Sequence, residues 1–151
     1  MTIQDLKNNG TIVLRSQIDG TFNGFNTDKI FPLTNGQFWI QSAYKYWYHY
    51  AYRAYITIYS LNHLHFISVD GQNEIAQTER LTDVIKDTIV NDFAGWNGNT
   101  LFELSNGQIW KQSSYAYRYH YAHRPTAFIY RTRGGYKLMV DGESIDVVKL
   151  K

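Results

Sequence analysis

His49 and His120 hold the same place in two versions of one phrase, "YKYWYHYAYRAY" from Tyr44 to Tyr55 and "YAYRYHYAHRP" from Tyr115 to Pro125. An imidazole is the side chain most often used as a general base near neutral pH. Here each lies four residues before an arginine, Arg53 or Arg124, with tyrosines on both sides. A base needs a nucleophile or a bound water to act on. Ser42 and Ser113 stand at no telling spacing and read as loop residues. A half-buried histidine bonded to a backbone carbonyl or a Tyr hydroxyl is the preferred reading.

Other chemistry fails similar checks. His63 and His65 share one face if they lie in a strand, and both could then reach a metal. The second version has Gly134 and Tyr136 at those places, so the pair is not part of the repeated design. His120 and His123 point to opposite faces of a strand. Asp70 and Asp141 each precede glycine in "VDG", where Asp serves a turn by bonding its own backbone. Neither "GTFNGF" nor "NGNT" has the Lys and Ser/Thr of a phosphate loop. Cysteine is absent, so there is no disulfide framework, thiolate site or cysteine nucleophile. The expectation is a protein that binds and does not catalyse, with no catalytic residue, cofactor or metal.

The binding chemistry follows from the alternation. In an extended strand, side chains alternate between two faces. Tyr44, Tyr46, Tyr48, Tyr50 and Tyr52 then share one face, and Lys45, Trp47, His49, Ala51 and Arg53 the other. The second version places Tyr115, Tyr117, Tyr119, Tyr121 and His123 opposite Ala116, Arg118, His120, Ala122 and Arg124. A helix would scatter these tyrosines around its circumference. A tyrosine row can wrap a barrel or form a seam between units, because its ring packs while its hydroxyl stays wet. It can also be a platform for a partner, since interfaces are enriched in Tyr, Trp and Arg.

The candidate binding residues are Tyr46, Tyr48, His49, Tyr50, Arg53, Tyr117, Arg118, Tyr119, His120, Tyr121 and Arg124. The tyrosines stack or pack, the arginines pair with an anionic group, and the histidines orient neighbours. Arg131, Arg133 and Lys137 add a basic rim to the second copy around Gly134-Gly135. Net charge is only +2, but no acid occurs between Lys29 and Val69 or between Leu104 and Val140. Charge is therefore segregated along the chain. The expected partner is a protein or peptide, including a second copy in a homo-oligomer. The alternative is single-stranded nucleic acid, whose bases stack on rings while cations track its phosphates. A sugar on Gln37, Trp39 and Gln41 is a third option, against which Trp39 and Trp110 read better as core.

The elements that carry these residues are also written twice. A displacement of 71 positions lays "LTNGQFWIQSAYKYWYHYAYRAYITIY" over "LSNGQIWKQSSYAYRYHYAHRPTAFIY" without a gap. Roughly four in ten aligned positions are identical, which marks a duplication. The first repeat spans 1–80 with a short N-terminal segment, and the second 81–151. No Gly/Ser- or Pro-rich linker divides them, so two barrels packed together are expected. "TIVLRSQIDGTFNGF" reads as strand with glycine bulges. "KIFPL-TNG-QFWIQ" reads as a hairpin, with Asn35-Gly36 and Asn106-Gly107 supplying positive φ angles. "RAYITIYSL" with "LHFISVDG" forms another pair, and "EIAQTERL" or "SIDVVKLK" closes each unit. "LTDVIKDT" is a strand by its match to "IVLRSQ", and residues 2–8 allow a short helix. Five or six strands per unit of about 70 residues indicate an all-β barrel or sandwich.

The string "IDG.F.G…F.L.NGQ.W.QS.Y.Y.YHYA.R…IY…VDG" resembles a set of small bacterial proteins of unassigned function, some carried as integron gene cassettes. The resemblance covers nearly the whole of each unit. It implies an SH3-like small barrel for each unit, and with the repeat the expected fold is an all-β tandem duplication of an SH3-like small β-barrel; it implies no activity. Phe25 departs from the Trp of that pattern, which Trp96 fits, and Ala54 departs from the Pro found at Pro125. The start "MTIQDLKNNG" lacks the basic and apolar regions of a signal peptide, and no run approaches the roughly 18 apolar residues of a spanning helix. A cytoplasmic protein with no membrane partner is the expectation.

Overall fold

Asparagine and glycine divide the labour at the hairpin turns. In the computed structural model, which describes residues 1–132 and 134–151, Gly36 and Gly107 are left-handed at φ +86° and +89°. Asn35 and Asn106 are not left-handed, contrary to expectation. Each instead accepts a hydrogen bond on its side-chain oxygen, from Gln37 N at 2.9 Å and Gln108 N at 2.8 Å. The turn is therefore a bulged one with a single left-handed glycine, not a two-residue turn with two left-handed positions.

The chain forms two compact units, Met1–Leu81 and Thr82–Lys151. The first holds helix α1 (Ile3–Asn9) and strands β1 (Thr11–Gln17), β2 (Thr21–Phe25), β3 (Ile30–Pro32), β4 (Phe38–Gln41), β5 (Trp47–Tyr52), β6 (Tyr55–Leu61), β7 (Leu64–Val69) and β8 (Ile75–Leu81). The second holds β9 (Ile85–Thr88), β10 (Phe93–Trp96), β11 (Leu101–Glu103), β12 (Ile109–Gln112), β13 (Arg118–Ala122), β14 (Thr126–Thr132), β15 (Gly135–Val140) and β16 (Glu143–Lys149). The protein is all-β, with eight strands in each unit among the described residues instead of five or six. The extra ones are short, such as β3 and β11. "LTDVIKDT" contributes strand β9, and α1 is held by a capping box between Thr2 and Asp5.

Both units share one topology. Six strands run in the order β1-β6-β7-β8-β4-β3, repeated as β9-β14-β15-β16-β12-β11, and a ribbon of β2 with β5, or β10 with β13, stands apart. The two edges of each six-stranded sheet meet. Ile18 bridges Leu33, and Ile89 bridges Leu104. Asp19 N donates to Pro32 O and Val90 N to Glu103 O, both at 2.8 Å. Each sheet thus curls into a barrel-like unit, which removes most of its exposed edge.

Equivalent residues fill the two cores. Phe22, Phe31, Leu33 and Trp39 pack in the first, and Phe93, Phe102, Leu104 and Trp110 in the second. Size changes offset one another. The second core has Trp96 for Phe25 and Val147 for Ala76, but Ala127 for Ile56. A satellite cluster of Leu6, Tyr59, Phe66 and Ile75 seats α1 on the first unit. Among the described residues no helix is long and apolar enough to cross a membrane.

Arg133, read as part of a basic rim, lies outside the described residues. Gly135, read as a turn residue, pairs with Thr132 inside strand β15.

Candidate binding surface

The ribbon owes its geometry to one glycine. Gly24 and Gly95 are left-handed at φ +98° and +90° and sit where the ribbon register shifts. A β-carbon on either would lie 1.9 Å from a carbonyl oxygen across the ribbon, that of Trp47 or Arg118. Only glycine lets the strands approach this closely.

One buried glutamine anchors the segment leading into each ribbon strand. Gln41 Nε2 donates to Ala43 O at 2.9 Å and Lys45 O at 3.0 Å, and its Oε1 accepts from Asn26 N at 2.8 Å. Gln112 does the same with Ser114 O, Ala116 O and Gly98 N. Gln37 and Gln108 each accept from a Trp indole, Nε1 of Trp39 and Trp110, at 3.1 Å. The indoles themselves are buried in the cores. The Gln-Trp-Gln face is thus occupied by structural bonds.

The anchored segments and the strands they lead into, which begin only at Trp47 and Arg118, together present the expected alternation. Tyr44, Tyr46, Tyr48, Tyr50 and Tyr52 are all exposed, as are Tyr115, Tyr117, Tyr119 and Tyr121, from 61% at Tyr50 to 87% at Tyr115. Trp47, His49 and Ala51, with Arg118, His120 and Ala122, form the half-buried inner faces. The structure therefore splits the predicted site. Tyr46, Tyr48, Tyr50, Tyr117, Tyr119 and Tyr121 share solvent-facing rows, while His49, Arg118 and His120 lie behind them.

The inner face is held differently in the two units. His49 stacks flat on Trp47, with centroids 4.8 Å apart and planes 3° from parallel. Arg118, in the place of Trp47, lies 3.3 Å from Glu143, and His120 Nε2 lies 2.6 Å from Asp141. Lys45 pairs with Glu74 at 2.5 Å, and Lys137 with Asp146 at 3.0 Å. The Lys137 hydrogen bond holds the Asp146 carboxyl below its ordinary range, against a smaller upward push from burial. The charge segregation along the chain is thus partly undone in space, because acids beyond each acid-free window return to pair with Lys45, Arg118 and Lys137.

Arg53 and Arg124 are exposed at the ends of the rows. Arg53 is 4.0 Å from Asp19, a long and weak contact. His63 falls in the two-residue β6–β7 turn at φ +66°, outside the strand, which removes the shared face imagined for His63 and His65. In the second unit a cleft of about 280 Å³ opens beside the row, lined in part by Asp92, Asn97, Thr100, Tyr117, Arg118 and Tyr119. The chain matches no family model, no curated protein and no solved structure at a significant level.

Proposed function

We propose that this chain is a non-catalytic protein-interaction module, each of whose ribbons takes an extended segment of a partner protein on its tyrosine row. The exposure of nine tyrosines in two rows carries the reading. A row presents roughly 600 Å² of ring surface, close to one partner's share of an ordinary protein interface. Tyrosine gives that contact area with little side-chain entropy to lose. Among the described residues strand β5 pairs only with β2 and β13 only with β10, so an extended segment can also add along a free edge.

The pairing of Lys45 and Arg118 within the rows, which leaves each row a single arginine at its end, favours a protein partner over nucleic acid. Strand-tracking binders line the groove with free cations, whereas Arg118 and Lys45 are matched by Glu143 and Glu74. An SH3-like identity for the barrels and a cytoplasmic location belong to the same proposal.

The test is selection of a displayed random-peptide library on the full chain. Binders that survive on wild type and disappear on the Tyr48→Ser/Tyr50→Ser/Tyr119→Ser/Tyr121→Ser variant support it. Binders indifferent to those changes refute it. Self-association through the rows would appear as concentration-dependent mass in sedimentation, abolished by the same variant.

A further inference from the structure

Two arginines hold a backbone conformation in which arginine is an awkward choice. Arg53 has φ +54° and Arg124 φ +46°, the left-handed region that side chains with a β-carbon seldom occupy. They match in the repeat and each follows a tyrosine row. The chain's other left-handed residues are Gly, Asn or Asp, with His63 the one other exception among the described residues. Those three types tolerate the region because they lack a β-carbon or bond their own backbone. Arginine does neither.

Nothing local accounts for the choice. Arg53 N donates to Gly20 O at 2.8 Å, and Arg53 O accepts from Gln17 Nε2 at 2.9 Å. Glycine would supply both groups. The contact with Asp19 is not the shared reason, because Val90 stands at the matching place in the second unit. Among the described residues neither guanidinium lies over an aromatic ring. A strained residue kept at one position in both copies, with its side chain in solvent, points to a use for the side chain.

We infer that Arg53 and Arg124 are the specificity residues of the two rows, each receiving an Asp or Glu carboxylate of the bound segment. The inference rests on the peptide-binding reading above. One guanidinium fork matches one carboxylate. Phosphate-bearing motifs are taken by clusters of arginines, and each row ends in one.

The test uses the full chain and the R53G/R124G variant, each carried through selection from a displayed random-peptide library. Wild type enriches peptides with Asp or Glu toward one end, and the variant loses that enrichment. Replacing the selected acid by Gln weakens binding to wild type roughly tenfold, as for one charge-assisted bond, and leaves binding to the variant unchanged. The variant's Tm equals or exceeds that of wild type, because glycine relieves the left-handed strain. If the variant loses its cooperative transition, the acid-to-Gln comparison on wild type decides alone. Peptides without acid enrichment, or equal affinity of acid and Gln forms for wild type, overturn the inference and leave the tyrosine reading standing. Failure of wild type to select any peptide overturns both.

Discussion

His120 Nε2 lies 2.6 Å from Asp141 Oδ2, while the matching residues of the first unit take other partners. His49 lies flat on Trp47, and Asp70 accepts from Thr57 Oγ1 at 3.1 Å. Two substitutions account for the change. Arg118 replaces Trp47 and removes the stacking surface, and Phe128 replaces Thr57 and removes the donor to the aspartate. The duplicated scaffold thus fastens the inner face of its ribbon by aromatic stacking in one copy, and by the Arg118–Glu143 ion pair and the His120–Asp141 hydrogen bond in the other. A double-mutant cycle of His120→Ala and Asp141→Ala, read by urea denaturation, should give a coupling of about 0.5–1 kcal/mol, as for a partly exposed pair. No coupling would mean that the contact does not hold the ribbon.

The ribbon glycines should be far less replaceable than the turn glycines. Gly24→Ala and Gly95→Ala each drive a β-carbon into a carbonyl and should cost about 3 kcal/mol or more. Gly36→Ala and Gly107→Ala meet open space and should cost about 1 kcal/mol, from the left-handed backbone alone. Equal losses in urea denaturation would contradict the close approach.

Acid should weaken the second unit through two carboxylates. Hydrogen bonds from the Ser105 hydroxyl and from Thr88 N hold Asp87 below the ordinary carboxyl range, and Lys137 does so for Asp146. A folded pKa below the unfolded one contributes stability above about pH 4 and loses it as pH falls through the folded value. Asp87→Asn and Asp146→Asn should each lower stability at neutral pH and flatten its decline below about pH 4. Denaturation midpoints across that range check this, and curves parallel to wild type would refute it.

Surface and core should separate function from stability. Replacing Tyr48, Tyr50, Tyr119 and Tyr121 by Ser should change stability by less than about 0.5 kcal/mol each, because these rings are exposed. Phe22→Ala or Trp110→Ala should cost about 3–5 kcal/mol. A large stability loss from the tyrosine changes would make the rows structural.

Local patterns in the sequence carried the alternation and the hairpins, because each is written within a few residues, and the repeat was legible because its two copies align without a gap. The tyrosine rows were legible because a ribbon with one wet face repeats every second residue. The neutralised charge was not, since Arg118 meets Glu143 across strands that no linear window spans. Asn35 shows a second limit. The dipeptide marks a turn, but whether Asn is left-handed or bonds through its side chain depends on the strands it joins. Gln41 and Gln112 stand out by repetition and enter the sequence reading only as part of a third-ranked sugar face, because their structural work depends on loop carbonyls only the fold brings near. Left-handed backbone at Arg53 and Arg124 leaves no trace in composition or spacing.

The most direct measurement is fluorescence anisotropy of the full chain with labelled single-stranded DNA and with library-selected peptides, at low and at physiological salt. The account predicts peptide binding with a shallow salt slope that the tyrosine-row variant abolishes, and no steep salt-dependent binding of DNA. DNA binding that falls steeply with salt and vanishes in the same variant would contradict it and make the rows a stacking platform for nucleic acid.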